Sequence, residues 1–367
     1  MLESNSDYRR QHFVPKFYLN EFGEEIFVYD KTNDKQFVSN SKNLAVKKDF
    51  YKIASDDQNL IEKMFSKFED QQAPAFRKLI EERNYYILED EEKLKICEFL
   101  ALMHLRTEEK RLDFKRHSEN FLDQYAKIIL PPELKKIYSE QFKLTYSENA
   151  IKALHTQILL DSLIPTSIIF YNMRFVMFEN KTYFPFLTSD NPLTKQNGFD
   201  KSGLGNLGLI NEGIEFYLPL TPDLTLGLLD PITYHMVPLW MLSDKMNTIR
   251  LNFLQLVYST RFVYSKYKKF YLLKDMLNSN SHFRDSNRQS SEFFQGTDKY
   301  GRTTAIISAE RNLQHPINPT KPIGELKTWM DPNFVDELHK KYNISELSKK
   351  YEKFEHDNLS KNSSNEI

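Results

Sequence analysis

The spacing of apolar residues changes several times along the chain, and each change marks a different element. Between 25 and 53 the apolar runs are short and β-rich. Ile26-Phe27-Val28-Tyr29-Asp30 and Gln36-Phe37-Val38-Ser39 flank an Asn33-Asp34 turn, which predicts a hairpin. A further short strand is expected over 46–53. From 59 to 82 the step becomes three and four, through Ile61, Phe65, Phe68, Phe76 and Leu79. That spacing predicts a helix to about Ala73, a break at Pro74 and a second helix. Glu91 to about Arg116 reads as one amphipathic helix. Leu94, Ile96, Phe99, Leu100, Met103 and Leu105 form its core side, and its second half is basic. Pro131-Pro132 marks a loop, and 146–170 a helix interrupted at Pro165.

Alternation then returns. Met173 to Phe178 and Lys181 to Thr188 read as paired strands across Glu179-Asn180, the second running into Ser189-Asp190-Asn191-Pro192. Strands are expected at 215–219 and 224–229, a helix from Asp244 to about Thr260, and extended chain at 261–265. Five of the ten glycines fall within 196–213, which reads as a mobile loop. Residues 278–300 are polar and loop-like. After Lys340 lysine and glutamate alternate, and the end is rich in Asn and Ser. The expectation is α+β: an N-terminal β-hairpin region and a central antiparallel sheet packed against a helical layer. The division is a domain over 1–265 with its helical part at about 59–170, an extension over 266–340, and a flexible charged tail over 341–367.

Composition narrows the function classes. Apolar residues make up 40% and aromatic residues 14%, enough for a core. A net charge of -1 argues against a uniformly basic nucleic-acid binder but leaves room for a local basic patch. The single cysteine, Cys97, leaves no disulfide or cysteine-rich zinc site and suits a reducing cytoplasm. The first residues carry no apolar core, so no signal peptide is expected. No run of 18 apolar residues occurs, so no membrane span is expected. Walker A, H-E-x-x-H, G-x-S-x-G and C-x-x-C are absent. Gly203 to Gly208 fits G-x-G-x-x-G but has no strand before it and no helix pattern after it, so it reads as a flexible loop.

Several residue types could carry chemistry. His12 lies in Arg10-Gln11-His12-Phe13-Val14-Pro15-Lys16-Phe17-Tyr18-Leu19. It can serve as base, acid or metal ligand, or simply brace the first strand. Gln11 and Lys16 stand near it as substrate-binding candidates. Asp190 and Asn191 end a predicted strand, and Pro192 forces Asn191 out of the α region. They could present oxygen to Mg²⁺ or form an ordinary Asx turn. Glu62 and Glu69 are seven apart on one helix side, either as site carboxylates or as a solvated flank. Asp190, Glu69 and His12 together could hold a metal ion that activates water for phosphodiester cleavage. Arg106 and Arg111 could clamp phosphate, or lie on an exposed charged face. Asn252, between apolar residues, reads first as a buried network member and second as a substrate contact.

Gln11 to Leu19 combined with Leu187-Thr188-Ser189-Asp190-Asn191-Pro192 resembles the DUF4238 family of bacterial proteins of unknown function. Further matches are Phe27 to Asp30, Lys48-Asp49-Phe50-Tyr51, the Glu62/Glu69 helix, Leu105-Arg106-Thr107, Tyr217 to Pro222, and Arg250-Leu251-Asn252. They span roughly 8 to 265. The resemblance implies context: similar proteins are proposed as anti-phage effectors that stop growth of the infected cell, which adds a phage-derived trigger to the expected partners. Two readings stand side by side. One is a metal-dependent hydrolase of nucleic acid or nucleotides; the other is a sensor or binding module whose polar motifs brace the fold.

Overall fold

The computed structural model describes residues 10–51, 60–131, 133–134, 138, 144–199, 207–285, 293–297 and 303–307. In chain order, β1 (Arg10–His12) leads into the single turn α1 (Lys16–Asn20). The hairpin expected from the Asn-Asp turn follows as β2 (Ile26–Asp30) and β3 (Lys35–Ser39). Tyr29 Oη donates to Asp34, whose left-handed φ of 51° makes the turn. β4 (Val46–Lys48) pairs with β1, setting His12 opposite Val46.

The helical layer departs from the sequence expectation in two places. α2 (Leu60–Glu82) runs unbroken through Pro74. Proline removes one backbone donor, but Ala73, Ala75, Phe76 and Leu79 are buried on both sides and hold the helix through it. Conversely, the single helix expected over 91–116 is two, α3 (Asp90–Leu105) and α4 (Glu108–Ile129). Arg106 ends the first. Thr107 caps the second by accepting from the Lys110 N–H, and Glu108 and Glu109 complement the dipole of its first turn. The helix either side of Pro131-Pro132 is α4 on one side; the other side lies mostly outside the described residues.

α5 (Glu148–Tyr171) passes Pro165 without interruption. By length and apolarity it meets the measure of a membrane span. Here it packs along α3, burying Ile151, Leu159, Leu163, Ile168 and Phe170.

β5 (Arg174–Asn180) does not pair with 181–188. The Asn180 side chain closes a tight turn by accepting from the Thr182 N–H and donating to the Phe184 carbonyl. Only β6 (Thr188–Ser189) of that stretch is strand. β7 (Thr194–Asn197), β8 (Ile214–Thr221) and β9 (Leu224–Leu229) follow. Next come β10 (Trp240–Ser243), α6 (Lys245–Tyr258, capped by Asp244) and β11 (Phe262–Ser265). The central sheet has the order β10-β5-β9-β8-β7, antiparallel except for the β10/β5 pair. The second sheet, β3-β2-β11-β6, joins the N-terminal hairpin to the late strand. Between α2, α3, α5 and the central sheet lies the main core, with Phe76, Phe99, Phe170 and Phe216 at its centre.

α7 (Tyr271–Ser279) ends just inside the 278–300 stretch read as loop, and β12 (Phe293–Thr297), within that stretch, pairs with β13 (Thr303–Ile307). The tail over 341–367 and most of Gly203 to Gly208 lie outside the described residues. Cys97 is a buried free thiol, pushed up to about 12 by burial.

Candidate functional site

The break between α3 and α4 turns Arg106 inward. Its side chain is fully buried, and β1, α2 and the segment after β4 converge on it. Nε donates to the Phe13 carbonyl at 3.2 Å, and Nη2 to the His12 carbonyl at 3.4 Å and to Glu69 Oε1 at 2.6 Å. Nη1 is buried without a partner among the described residues. The guanidinium carbon stands 5.5 Å from the Phe65 ring centre. Tyr51 Oη donates to the Arg106 carbonyl at 3.3 Å, and the Tyr51 N–H donates to Gln11 Oε1 at 2.6 Å. Gln11 is therefore spent on the backbone, and Lys16 is exposed on α1.

Glu62 and Glu69 flank this arginine, as their helical spacing allows. Burial pushes the Glu62 carboxyl up to about 7, Arg106 opposes, and Glu69 adds to the rise. Its Oε2 is buried without a partner among the described residues. His12 is half-buried, and burial lowers its pKa against the pull of the Ser41 carbonyl and Glu69. Its Nε2 lies 3.2 Å from the Ser41 oxygen. A carbonyl there selects the Nε2–H tautomer, which leaves the lone pair on Nδ1. Four groups named from the sequence, His12, Glu62, Glu69 and Arg106, thus form one cluster.

Asp190 is not part of it. The carboxylate accepts the N–H groups of Thr260, Arg261 and Phe262 at 2.7, 2.9 and 2.9 Å. It shares no hydrogen-bond partner with His12. Burial raises its pKa, while those three donors and the nearby Lys31 pull it back. Asn191 Nδ2 donates to the Tyr258 carbonyl. Asn252 accepts from the Leu187 N–H and donates to the Pro185 carbonyl, both at 2.8 Å. Ser189 and Gln255 complete the seam. The 185–192 stretch is stitched to α6 by backbone-directed bonds, which is a bracing role.

The Mg²⁺ site expected from Asp190, Glu69 and His12 does not fit these positions. Asp190 is spent on three backbone N–H groups away from the cluster, and Glu69 is paired to Arg106. Among the described residues no three His, Cys, Asp or Glu side chains are grouped to hold a metal.

Arg111, read from the sequence either as a phosphate clamp or as part of an exposed charged face, is buried as well. It lies 3.5 Å above the Phe50 ring. Nη1 donates to the Phe50 carbonyl at 2.8 Å, and Nε to His155 Nδ1 at 3.3 Å. His155 Nε2 meets the Leu105 carbonyl at 2.9 Å, so the ring is neutral; burial and Arg111 hold it down, to about 4. Burial also lowers Arg111, to about 10, leaving it charged at neutral pH.

A further buried carboxyl gave no signal in the sequence. Glu215 accepts from Gln196, Tyr217 and Tyr234 within the sheet. Burial pushes it up to about 7 against those three donors. Only the apolar alternation of β8, which it interrupts, could have marked it.

Fold and cluster together define an α+β protein with a half-buried acid, histidine and arginine site at a helix corner. The family model described as "Protein of unknown function (DUF4238)" matches residues 10–269, and the chain belongs to that family. Searches of curated proteins and of solved structures returned no match.

Proposed function

We propose that this chain is a hydrolase of phosphate esters in nucleotides or nucleic acid, acting in the cytoplasm as an anti-phage effector that arrests growth. The observation that carries the reading is Glu62. It is a carboxyl pushed up to about 7 by burial, with a buried oxygen that has no partner among the described residues, beside a carboxylate paired to Arg106. An acid and a base placed in different environments on one site are what general acid–base hydrolysis needs. His12, neutral and with Nδ1 available, takes the proton from water. The water oxygen attacks phosphorus, and Glu62 gives its proton to the departing alkoxide oxygen. Arg106 and Glu69 hold the pair in place. The defence role rests on family resemblance, with a phage-derived trigger as the implied partner.

A second reading, a sensor or binding module, is favoured by the Asp190, Asn191 and Asn252 bonds, all of which brace the backbone. Two measurements separate the readings. Purified wild type is assayed against RNA, DNA and nucleoside triphosphates, in chelator and in Mg²⁺. Growth arrest on induction is compared for wild type, His12→Ala and Glu62→Gln, each shown to be folded. Turnover and arrest lost in both variants support hydrolysis. No turnover by wild type, with arrest retained in both variants, leaves the binding module.

A further inference from the structure

On the other side of Tyr51 from the acidic cluster lies a pocket of about 290 Å³. Its charged lining is Lys47, Lys48, Arg111, Lys115 and Lys152, against the two carboxylates of Glu108 and Glu148. Lys47 pairs with Glu108, and Lys152 with Glu148 at 3.2 Å. Lys115 reaches Glu119 only at 3.9 Å. The local excess is therefore cationic in a chain whose net charge is -1.

Arg111 is the built part of this site. It is 9% exposed, and three contacts with two residues fix it: the Phe50 carbonyl, the Phe50 ring face and His155. The third guanidinium nitrogen, Nη2, has no partner among the described residues. A neutral histidine behind a buried arginine orients the fork without cancelling its charge. Leaving a buried guanidinium donor unpaired is costly unless something else accepts from it. Nη2 is itself closed to solvent, so Arg111 acts on the pocket it lines through its charge, which favours an anion such as phosphate held by the lysine rim. The remaining walls, Leu112 and Ile151, are apolar.

We infer that this pocket binds a small phosphomonoester with an apolar or aromatic body, of the nucleoside monophosphate class. Its phosphate meets the lysine rim in the field of Arg111, and its body lies on Leu112 and Ile151. The volume sits at the small end of ligand cavities, and the cations ring a hollow rather than track a groove, which favours a small molecule over a nucleic-acid strand. The site is separate from the Glu62 cluster and does not depend on the hydrolase reading.

The test is calorimetric titration of the full chain with AMP, with inorganic phosphate, and with a single-stranded oligonucleotide lacking terminal phosphates. Wild type is expected to bind AMP saturably with Kd below about 1 mM, more tightly than inorganic phosphate. Lys48→Gln with Lys115→Gln, two partly or fully exposed changes that leave the core alone, weakens AMP at least about tenfold. Glu62→Gln leaves AMP binding unchanged, which separates this site from the proposed chemistry. The inference is overturned by absence of saturable AMP binding, by the double variant binding as wild type does, or by AMP binding no more tightly than inorganic phosphate. An oligonucleotide that binds more tightly than AMP overturns it too, in favour of a polyanion surface.

Discussion

Lys31 and Asp190 grip one chain reversal from its two sides. Lys31 Nζ donates to the Leu256 and Ser259 carbonyls at the end of α6, at 3.0 and 2.6 Å. Asp190 takes the three N–H groups that follow. A cation meets the carbonyl end of the helix and an anion meets the orphan donors beyond it. Both side chains are buried. Asp190→Ala is therefore expected to cost about 3 kcal/mol, since one buried and two part-buried donors lose a charged acceptor. Urea unfolding measures it. Activity per folded molecule stays at the wild-type level, because Asp190 lies outside the acidic cluster.

Arg106→Ala is expected to cost more, about 3 to 5 kcal/mol, because it removes one partner of a buried ion pair and frees two carbonyls. Arg106→Lys recovers only part of this, since one ammonium cannot reach Phe13, His12 and Glu69 in the same fork. Thermal melts of the two variants against wild type rank them directly. Equal stability of all three would remove Arg106 as the keystone of β1.

The pH dependence has two opposing limbs. Glu62 in the fold titrates at about 7, above the 4.5 of an unfolded glutamate. The fold keeps its proton more tightly, so this contribution is full below 4.5 and is lost as pH rises through about 7. His155 works the other way. Its folded value of about 4 lies below the unfolded 6.5, so stability is full above 6.5 and lost as pH falls toward 4. His12 is shifted in the same direction as His155. Glu215 titrates in the same window as Glu62, so stability profiles of Glu62→Gln are expected to lose part of the neutral-side slope and keep the acid one. For hydrolysis, the rate falls as pH passes 7 and the Glu62 proton is lost.

Glu215 offers a cleaner contrast. Glu215→Ala leaves three buried donors and a hole, at a cost of about 3 kcal/mol or more. Glu215→Gln keeps the shape and removes a group that resists ionisation, so it gains on wild type above pH 7. Gly198→Ala disturbs the same network from outside. A Cβ there would stand 2.0 Å from the Tyr234 hydroxyl, so the tyrosine must leave Glu215. Tyrosine fluorescence and melting temperature across pH follow all three variants.

Much of this was legible in the chain. The seven-residue spacing put Glu62 and Glu69 on one side of a helix, and the short β-rich runs gave the hairpin and the antiparallel strands. His12 and Arg106 were named, although the arginine was left between a phosphate clamp and an exposed charged face. That ambiguity has a definite cause. Helical periodicity continues across 105–108, and only the capping hydroxyl of Thr107 and the tertiary pull on Arg106 break it. Asp190 was open to two readings because its turn-like neighbourhood suits an Asx turn. Its real donors sit about 70 residues later, beyond the reach of local pattern. Tyr51, His155 and Glu215 carry their roles through partners from distant elements, and no spacing within the chain announces them.

Phe50, Tyr51 and Phe65 form an unbroken run of rings, with neighbouring centres 4.8 Å apart, that starts under Arg111 and ends under Arg106. The rings meet edge to face, so the two arginines rest on one continuous aromatic wall. Free energies measured at the two ends are therefore not independent. A Phe50→Leu change and a Glu69→Gln change are expected to combine non-additively, with a coupling of about 0.5 to 3 kcal/mol in a double-mutant cycle. Phe50 thus serves two masters, as the floor under one arginine and the first ring of the wall that ends at the other.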